Sequence, residues 1–178
     1  VDPQTIQVLA PLKAGVCGIE NLNKVLQERI NPPSSGKRQV EFGRTIFREG
    51  DKVMQMSNNY DLEWKKHGRY ADEIGKGVFN GDIGIVNTID PNTSEVIVEF
   101  EDGRICLYTR PDLIDLSLSY AITIHKSQGS EFDTVIIPAI AGPSIILTRN
   151  LIYTAVTRAK KMVVIVGEKL YLKRMVSN

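Results

Sequence analysis

Tyr120-Ala121-Ile122-Thr123-Ile124-His125-Lys126-Ser127-Gln128-Gly129-Ser130-Glu131-Phe132-Asp133, running on into Thr134-Val135-Ile136-Ile137-Pro138, decides how the remaining sequence reads. An apolar lead-in, a polar run broken by one glycine and a second β-branched run describe a loop or short helix between two buried elements. Val135-Ile136-Ile137 and the later Val163-Val164-Ile165-Val166 are continuous β-branched runs, the pattern of parallel strands buried on both faces.

The flanks repeat that rhythm. Thr5 to Ala10 is a strand-like run stopped by Pro11. Ile19, Leu22, Val25, Leu26 and Ile30 then recur at helical spacing until Asn31-Pro32-Pro33. Strand, loop and helix make half of a parallel βαβ unit. Downstream, the pattern predicts a strand over Val135 to Ala139, a helix over Leu151 to Ala159, a buried strand over Met162 to Val166 and a helix over Glu168 to Met175. Between about Gly50 and Leu118 the character changes. Five short runs, Lys52 to Met56, Ile83 to Ile89, Glu95 to Phe100, Arg104 to Tyr108 and Leu113 to Leu118, are punctuated by Asn80-Gly81-Asp82, Asp90-Pro91-Asn92 and Glu101-Asp102-Gly103. They predict a small antiparallel barrel inserted in an α/β domain, with Lys65 to Gly77 as an exposed mobile loop. The division reads as residues 1–44 and 119–178 for the α/β domain and 45–118 for the barrel.

Composition bounds the function. The chain has 178 residues, 42% hydrophobic and 24% charged, the balance of a globular protein with a core. A net charge of +1 is silent on nucleic acid, because binding needs a basic patch rather than a basic total. Cys17 and Cys106 are far apart, without metal-ligand spacing, and read as reduced thiols of a cytoplasmic protein. No apolar run approaches the ~18 residues of a membrane span. Val1 at the start fits a segment cut from a longer polypeptide, and processing would leave the same mark.

Two places carry chemistry. In the opening stretch Gly129 permits close backbone approach to a ligand oxygen. Ser127, Gln128 and Ser130 supply neutral donors, Lys126 and His125 can carry positive charge, and Glu131 can accept from a ribose hydroxyl. A polar loop capped by Ser127 or Ser130 is the plainer reading. The second place is Tyr153-Thr154-Ala155-Val156-Thr157-Arg158-Ala159-Lys160-Lys161, a helix with a basic end. Cations there complement the helix dipole, and an arginine aimed at a transferring phosphate has the same local pattern. The loop should lie at the carboxyl ends of the strands, where ligands of open α/β sheets bind, with Arg158 across the same edge.

Taken together, these segments resemble the superfamily 1 DNA helicases, and within them the RecD-like group that includes the α chain of exodeoxyribonuclease V. Thr123 to Asp133 is similar to motif V, Leu151 to Lys160 to motif VI, and Gln7-Val8-Leu9-Ala10-Pro11 to the motif IV strand. Gly50 to Gln55 and Val78 to Gly84 match two further segments of that group, Gly-Asp-x-Val-Met-Gln and Val-Phe-Asn-Gly-Asp-x-Gly. The resemblance implies a RecA-like second motor domain, of P-loop NTPase type, with an inserted Src-homology-3-like barrel. It implies Arg158 as the arginine finger, Gln128, Gly129 and Glu131 at the nucleotide, and Thr123, His125 and Lys126 at single-stranded DNA. Asn58 and Asn59 are further DNA candidates, for which polar turn residues are the alternative. It also implies 5′-to-3′ polarity, ATP and Mg²⁺ in the full-length enzyme with none on this portion alone, and an N-terminal motor domain of the same polypeptide as partner. Subunits of a nuclease-helicase complex are possible further partners. A different class of reading keeps the barrel as the binding part of a nucleic-acid or protein interaction module.

No Gly-x-x-x-x-Gly-Lys-Ser/Thr occurs: Gly36-Lys37 and Gly75-Lys76 both fail the spacing. Nor does an apolar strand end in an Asp-Glu pair that could hold magnesium. The expected outcome is that the purified chain shows no DNA-stimulated ATP turnover in a phosphate-release assay; measurable turnover overturns it.

Overall fold

The protein is described here by a computed structural model, which covers residues 3–139 and 148–177. In chain order its first elements are β1 (Ile6–Ala10), α1 (Ile19–Ile30), β2 (Gln39–Phe42), β3 (Thr45–Arg48), β4 (Lys52–Gln55) and β5 (Asn59–Lys66). Then come β6 (Glu73–Val78), β7 (Ile83–Asp90), β8 (Glu95–Phe100), β9 (Ile105–Tyr108) and β10 (Leu116–Leu118). The last are β11 (Ala121–Thr123), β12 (Phe132–Ala139), α2 (Arg149–Val156), β13 (Ala159–Gly167) and α3 (Lys169–Ser177). Contacts divide the chain into two compact units, Val1–Leu26 with Tyr120–Asn178, and Gln27–Ser119.

The first unit holds a four-stranded sheet in the order β11-β1-β12-β13, parallel throughout. Val8 on β1 stands opposite both Ala121 and Ile136, so the central strand is clasped by two strands that arrive more than a hundred residues later. Leu9, Ala121, Val135 and Ile137 are buried there, as the unbroken apolar runs require. An edge strand leaves backbone groups without a ladder partner. On β11 the Asn23 side chain supplies one, accepting from the Ala121 N–H and donating to the Ala121 carbonyl, both at 2.9 Å.

Two elements depart from the sequence reading. The helix of residues 151–159 ends at Val156, and Ala159 already belongs to β13. The Phe132 N–H to Arg158 carbonyl bond, 2.8 Å, draws that segment into the sheet. β13 was expected buried, yet Met162, Ile165 and Val166 are 49%, 40% and 55% exposed. It is the edge strand of this sheet, so β-branched composition alone does not bury it.

The second unit is antiparallel. Its seven-stranded sheet runs β10-β4-β7-β8-β9-β5-β6, beside the β2-β3 hairpin. Phe47, Val53, Ile89, Val98, Cys106 and Tyr108 sit in one buried cluster. Between Gly50 and Leu118 seven strands replace the five of the sequence reading, β5 and β6 being the added pair, and the β2-β3 hairpin precedes them. The Lys65 to Gly77 segment is not a loop throughout: Trp64 pairs with Gly75 and Lys66 with Glu73, so β5 and β6 form a hairpin. Its missing signal is Gly75, which weakens a strand pattern. Glycine is required because a Cβ there would lie 2.3 Å from the Trp64 ring.

Buried polar groups organise this unit. At the end of α1, Gln27 and Asn31, the residue just past the helix, donate to the fully buried Asp51 carboxylate at 2.6 and 2.7 Å, and the Arg48 N–H adds a third bond at 2.7 Å. Together with Asn23, these amides make a buried polar stripe at i, i+4, i+8, while the apolar Val25 and Ile30 are exposed. The Tyr108 hydroxyl donates to Gln55 Oε1 at 2.5 Å inside the core. Asp51 and Gln55 belong to the Gly-Asp-x-Val-Met-Gln segment, which is therefore scaffold in this fold. Both cysteines are free thiols, and burial pushes Cys106 up to about 12. Asp51→Ala strands three donors and should cost roughly 3 kcal/mol, read as a lower urea midpoint at unchanged m-value.

Candidate functional site

The stretch quoted at the outset forms β11, a 3₁₀ turn over Ile124–Ser127 and a short loop into β12. Thr123 ends the strand with extended backbone, and its Oγ1 accepts from the Lys126 N–H at 3.4 Å. That side-chain oxygen satisfies a donor left open at the start of the turn. Residues three apart eclipse in a 3₁₀ turn, so Ile124 and Ser127 both face the interior. Ser127 is fully buried and donates through Oγ to the Ile124 carbonyl at 2.6 Å. His125 is exposed and Lys126 half-buried. Thr123 itself is buried, at 6% exposure, so the turn presents His125 rather than Thr123 to solvent.

Gln128 and Gly129 are exposed. Gly129 has φ +88°, and a Cβ there would meet nothing within 4 Å. Its left-handed backbone, not crowding, favours glycine, and the open space leaves the main chain approachable. The Ser130 N–H bonds back to the Ser127 carbonyl at 3.0 Å. Glu131 is exposed and lies 3.7 Å from Lys160 Nζ, while Lys161 Nζ reaches Asp133 at 2.7 Å.

Arg158 meets this loop. Its backbone carbonyl takes the Phe132 N–H, and its guanidinium donates to the Ser130 carbonyl at 3.3 Å, the Thr154 carbonyl at 3.3 Å and Thr157 Oγ1 at 3.4 Å. All three acceptors are neutral and the bonds long; an anionic oxygen would bind the same fork by shorter, charge-assisted bonds. The bond to Thr154 also serves the last turn of α2, so the dipole-complementing role is real for Arg158. Lys160 and Lys161 do not share it, because both lie in β13 and pair with the carboxylates at the start of β12. Those cross-strand pairs escape sequence reading, since parallel register is not written in either strand alone.

The sequence put loop and arginine together at the carboxyl edge; the structure brings Ser130, near the end of the loop, to Arg158 at the amino edge and leaves the start of the loop at the carboxyl edge. Thr123 stands opposite Ala10, at the carboxyl end of the sheet, whereas Phe132 stands opposite Ala159, at its amino end. With no α-helix in the connection, residues 124–131 make the whole return along the eight-residue β12, roughly 20–25 Å. His125 and Lys126 therefore belong to one end of the sheet, and Glu131 with Arg158 to the other. Asn58 and Asn59 lie in the second unit. Asn58 accepts from the Asn80 N–H at 2.9 Å and donates to the Tyr60 hydroxyl at 3.2 Å, and Asn59 Oδ1 accepts from the Asp61 and Leu62 N–H groups at 3.1 Å. Both organise turns; Asn58 is also exposed.

Comparison with known proteins follows the same two units. Residues 22–100 match the family model of the ATP-dependent RecD-like DNA helicase SH3 domain, and residues 118–166 that of the UvrD-like helicase C-terminal domain. An ATP-dependent RecD2 DNA helicase of Deinococcus radiodurans is 37% identical over 158 residues, covering 89% of this chain and 19% of its own length. The RecBCD enzyme subunit RecD of Buchnera aphidicola subsp. Schizaphis graminum is 28% identical over 173 residues, covering 97% of this chain and 26% of its own. The chain thus spans about a fifth to a quarter of these relatives. In fold it resembles Bacteroides Pif1 in its crystal structure bound to ssDNA, with TM-score 0.53, 18% identity, 94% of this chain and 44% of that one.

Thr123→Val removes the cap of the 3₁₀ turn and should lower stability by about 1 kcal/mol in urea denaturation, whereas His125→Ala, on the exposed side, should leave it unchanged.

Proposed function

The chain is related through both of its units to the RecD-like helicases of superfamily 1, and on that premise we propose that it is the C-terminal motor portion of an ATP-dependent DNA helicase moving 5′ to 3′. The observation that carries this reading is the meeting of Arg158 with Ser130 and Phe132, which joins two sequence-distant motifs at one end of a parallel sheet. Arg158 acts as the arginine finger toward the γ-phosphate, and its three neutral, long bonds support a guanidinium readily released to an anion. Gln128, Gly129 and Glu131 approach the nucleotide from the same end. His125 and Lys126, with Thr123 setting their turn, contact single-stranded DNA, and Asn58 and Asn59 add contacts from the inserted barrel. That barrel is drawn at residues 27–119, wider than 45–118, because the β2-β3 hairpin and the last turn of α1 pack with it.

ATP supplies the phosphoryl group whose hydrolysis drives stepping. The exposed Gly129 backbone and the neutral-bonded Arg158 fit the near side of such a site. Among the described residues no group of three or more His, Cys, Asp or Glu is placed to hold a metal ion. The phosphate grip and the metal site are assigned to an N-terminal motor domain of the same polypeptide, and subunits of a nuclease-helicase complex are candidate further partners. No helix of the described residues is long and apolar enough to cross a membrane, and the proposed setting is the cytoplasm.

In the full-length protein, Arg158→Ala should lower DNA-stimulated kcat for ATP hydrolysis by about 10³-fold or more while leaving single-stranded DNA affinity within a few-fold. Turnover within about tenfold of the unsubstituted enzyme would sink the finger assignment.

A further inference from the structure

Arg158 holds both chain neighbours of Glu131: its guanidinium donates to the Ser130 carbonyl at 3.3 Å, and its carbonyl takes the Phe132 N–H at 2.8 Å. Asp133 follows directly. A carboxylate beside a guanidinium is its natural counter-ion, because charge-assisted bonds outcompete neutral ones. Yet the acceptors of Arg158 are all neutral, and among the described residues it has no carboxylate partner. Both carboxylates are taken by the strand that follows it. Lys160 Nζ lies 3.7 Å from Glu131, and Lys161 Nζ lies 2.7 Å from Asp133. Adjacent residues of a regular strand point to opposite faces, so two neighbouring lysines would not both serve one stretch of β12. The register supplies the exception. Phe132 stands opposite Ala159 and Thr134 opposite Met162, so β13 uses Lys160 and Lys161 where β12 uses Asp133 alone. A bulge of this kind is rare in a parallel pair, and it re-aims side chains.

We propose that Lys160 and Lys161 are positioning residues that hold the Glu131 and Asp133 carboxylates off Arg158, so that its guanidinium keeps only long neutral bonds and stays available to an anionic oxygen. The inference rests on the arginine-finger reading above and gives the basic residues after Arg158 a task, since neither serves the dipole of α2. Ion pairs as exposed as these contribute little to stability, so holding the sheet together does not account for them. Their consequence is where they leave the two carboxylates. With the lysine charges removed, either carboxylate becomes an intramolecular competitor for the guanidinium, and each turnover must first break that pair.

Steady-state ATP hydrolysis by the full-length protein at saturating DNA tests this. Lys160→Gln with Lys161→Gln should lower kcat about two- to fivefold, the range of one exposed ion pair, with KM for ATP and the melting temperature unchanged. The loss should shrink as salt is added, because the competing pair is screened. Arginine at both positions should restore kcat. Lys161→Gln alone should give part of the loss, and adding Asp133→Asn should relieve it, because the released competitor is then neutral. An unchanged kcat in the double variant overturns the proposal. So does a loss carried by KM, which would make the lysines ligand contacts, or one that Asp133→Asn leaves in place, which would make the pairs structural only. If Arg158→Ala abolishes turnover while the lysine variants leave kcat intact, this inference falls alone. If Arg158→Ala leaves turnover standing, the finger reading falls and takes the inference with it.

Discussion

Parallel pairing of β1 with two strands from the far end of the chain is the constraint on which the rest depends. Parallel neighbours cannot be joined by a tight turn, so the chain must leave β1 and return before β11 can pair. The entropic cost of a long closure grows slowly with length, which lets residues 11–120 include an entire antiparallel unit between Ala10 and Ala121. The same rule governs the next return. Between β11 and β12 only residues 124–131 are available, and with β1 between the two strands this short connection must travel the full height of the sheet.

That travel gives the candidate site its form. A helix in the connection would have placed the polar residues on one face of the sheet; a single 3₁₀ turn followed by an extended loop spreads them between both ends. Thr123 is spent as a cap and Ser127 as an internal donor, so the exposed side chains reduce to His125, Gln128 and Glu131, the last beside Lys160, with Lys126 half-covered. At the far end the Phe132 to Arg158 bond fixes where β13 begins and, with it, where the guanidinium sits. A shift in that register would move the arginine and the loop together.

The second unit is specified by polar satisfaction as much as by apolar packing. Asp51, held by Gln27, Asn31 and the Arg48 N–H, and Gln55, held by the Tyr108 hydroxyl, are buried groups whose partners come from distant parts of the chain. Each would be costly if left unpaired, so together they exclude alternative packings that an apolar core alone would tolerate. Burial of Tyr108 drives its hydroxyl upward from the usual range, keeping the proton it donates.

The sequence by itself determined the class of fold, because β-branched runs such as Val135-Ile136-Ile137 and helical spacing from Ile19 to Ile30 are local signals. It also determined the two motifs of the candidate site and the inserted antiparallel character between Gly50 and Leu118. Several things were not legible. The hairpin at Lys65 to Gly77 was hidden by Gly75, whose reason for being glycine is the Trp64 ring on the facing strand. The buried amides Asn23, Gln27 and Asn31 carried no local signal, since their partners, Ala121 and Asp51, are remote in sequence. β13 read as buried because composition reports a strand but not its place at an edge. Only the tertiary structure decided that Arg158 meets Ser130 at the amino end of the sheet, because parallel register is a relation between strands and no single strand encodes it.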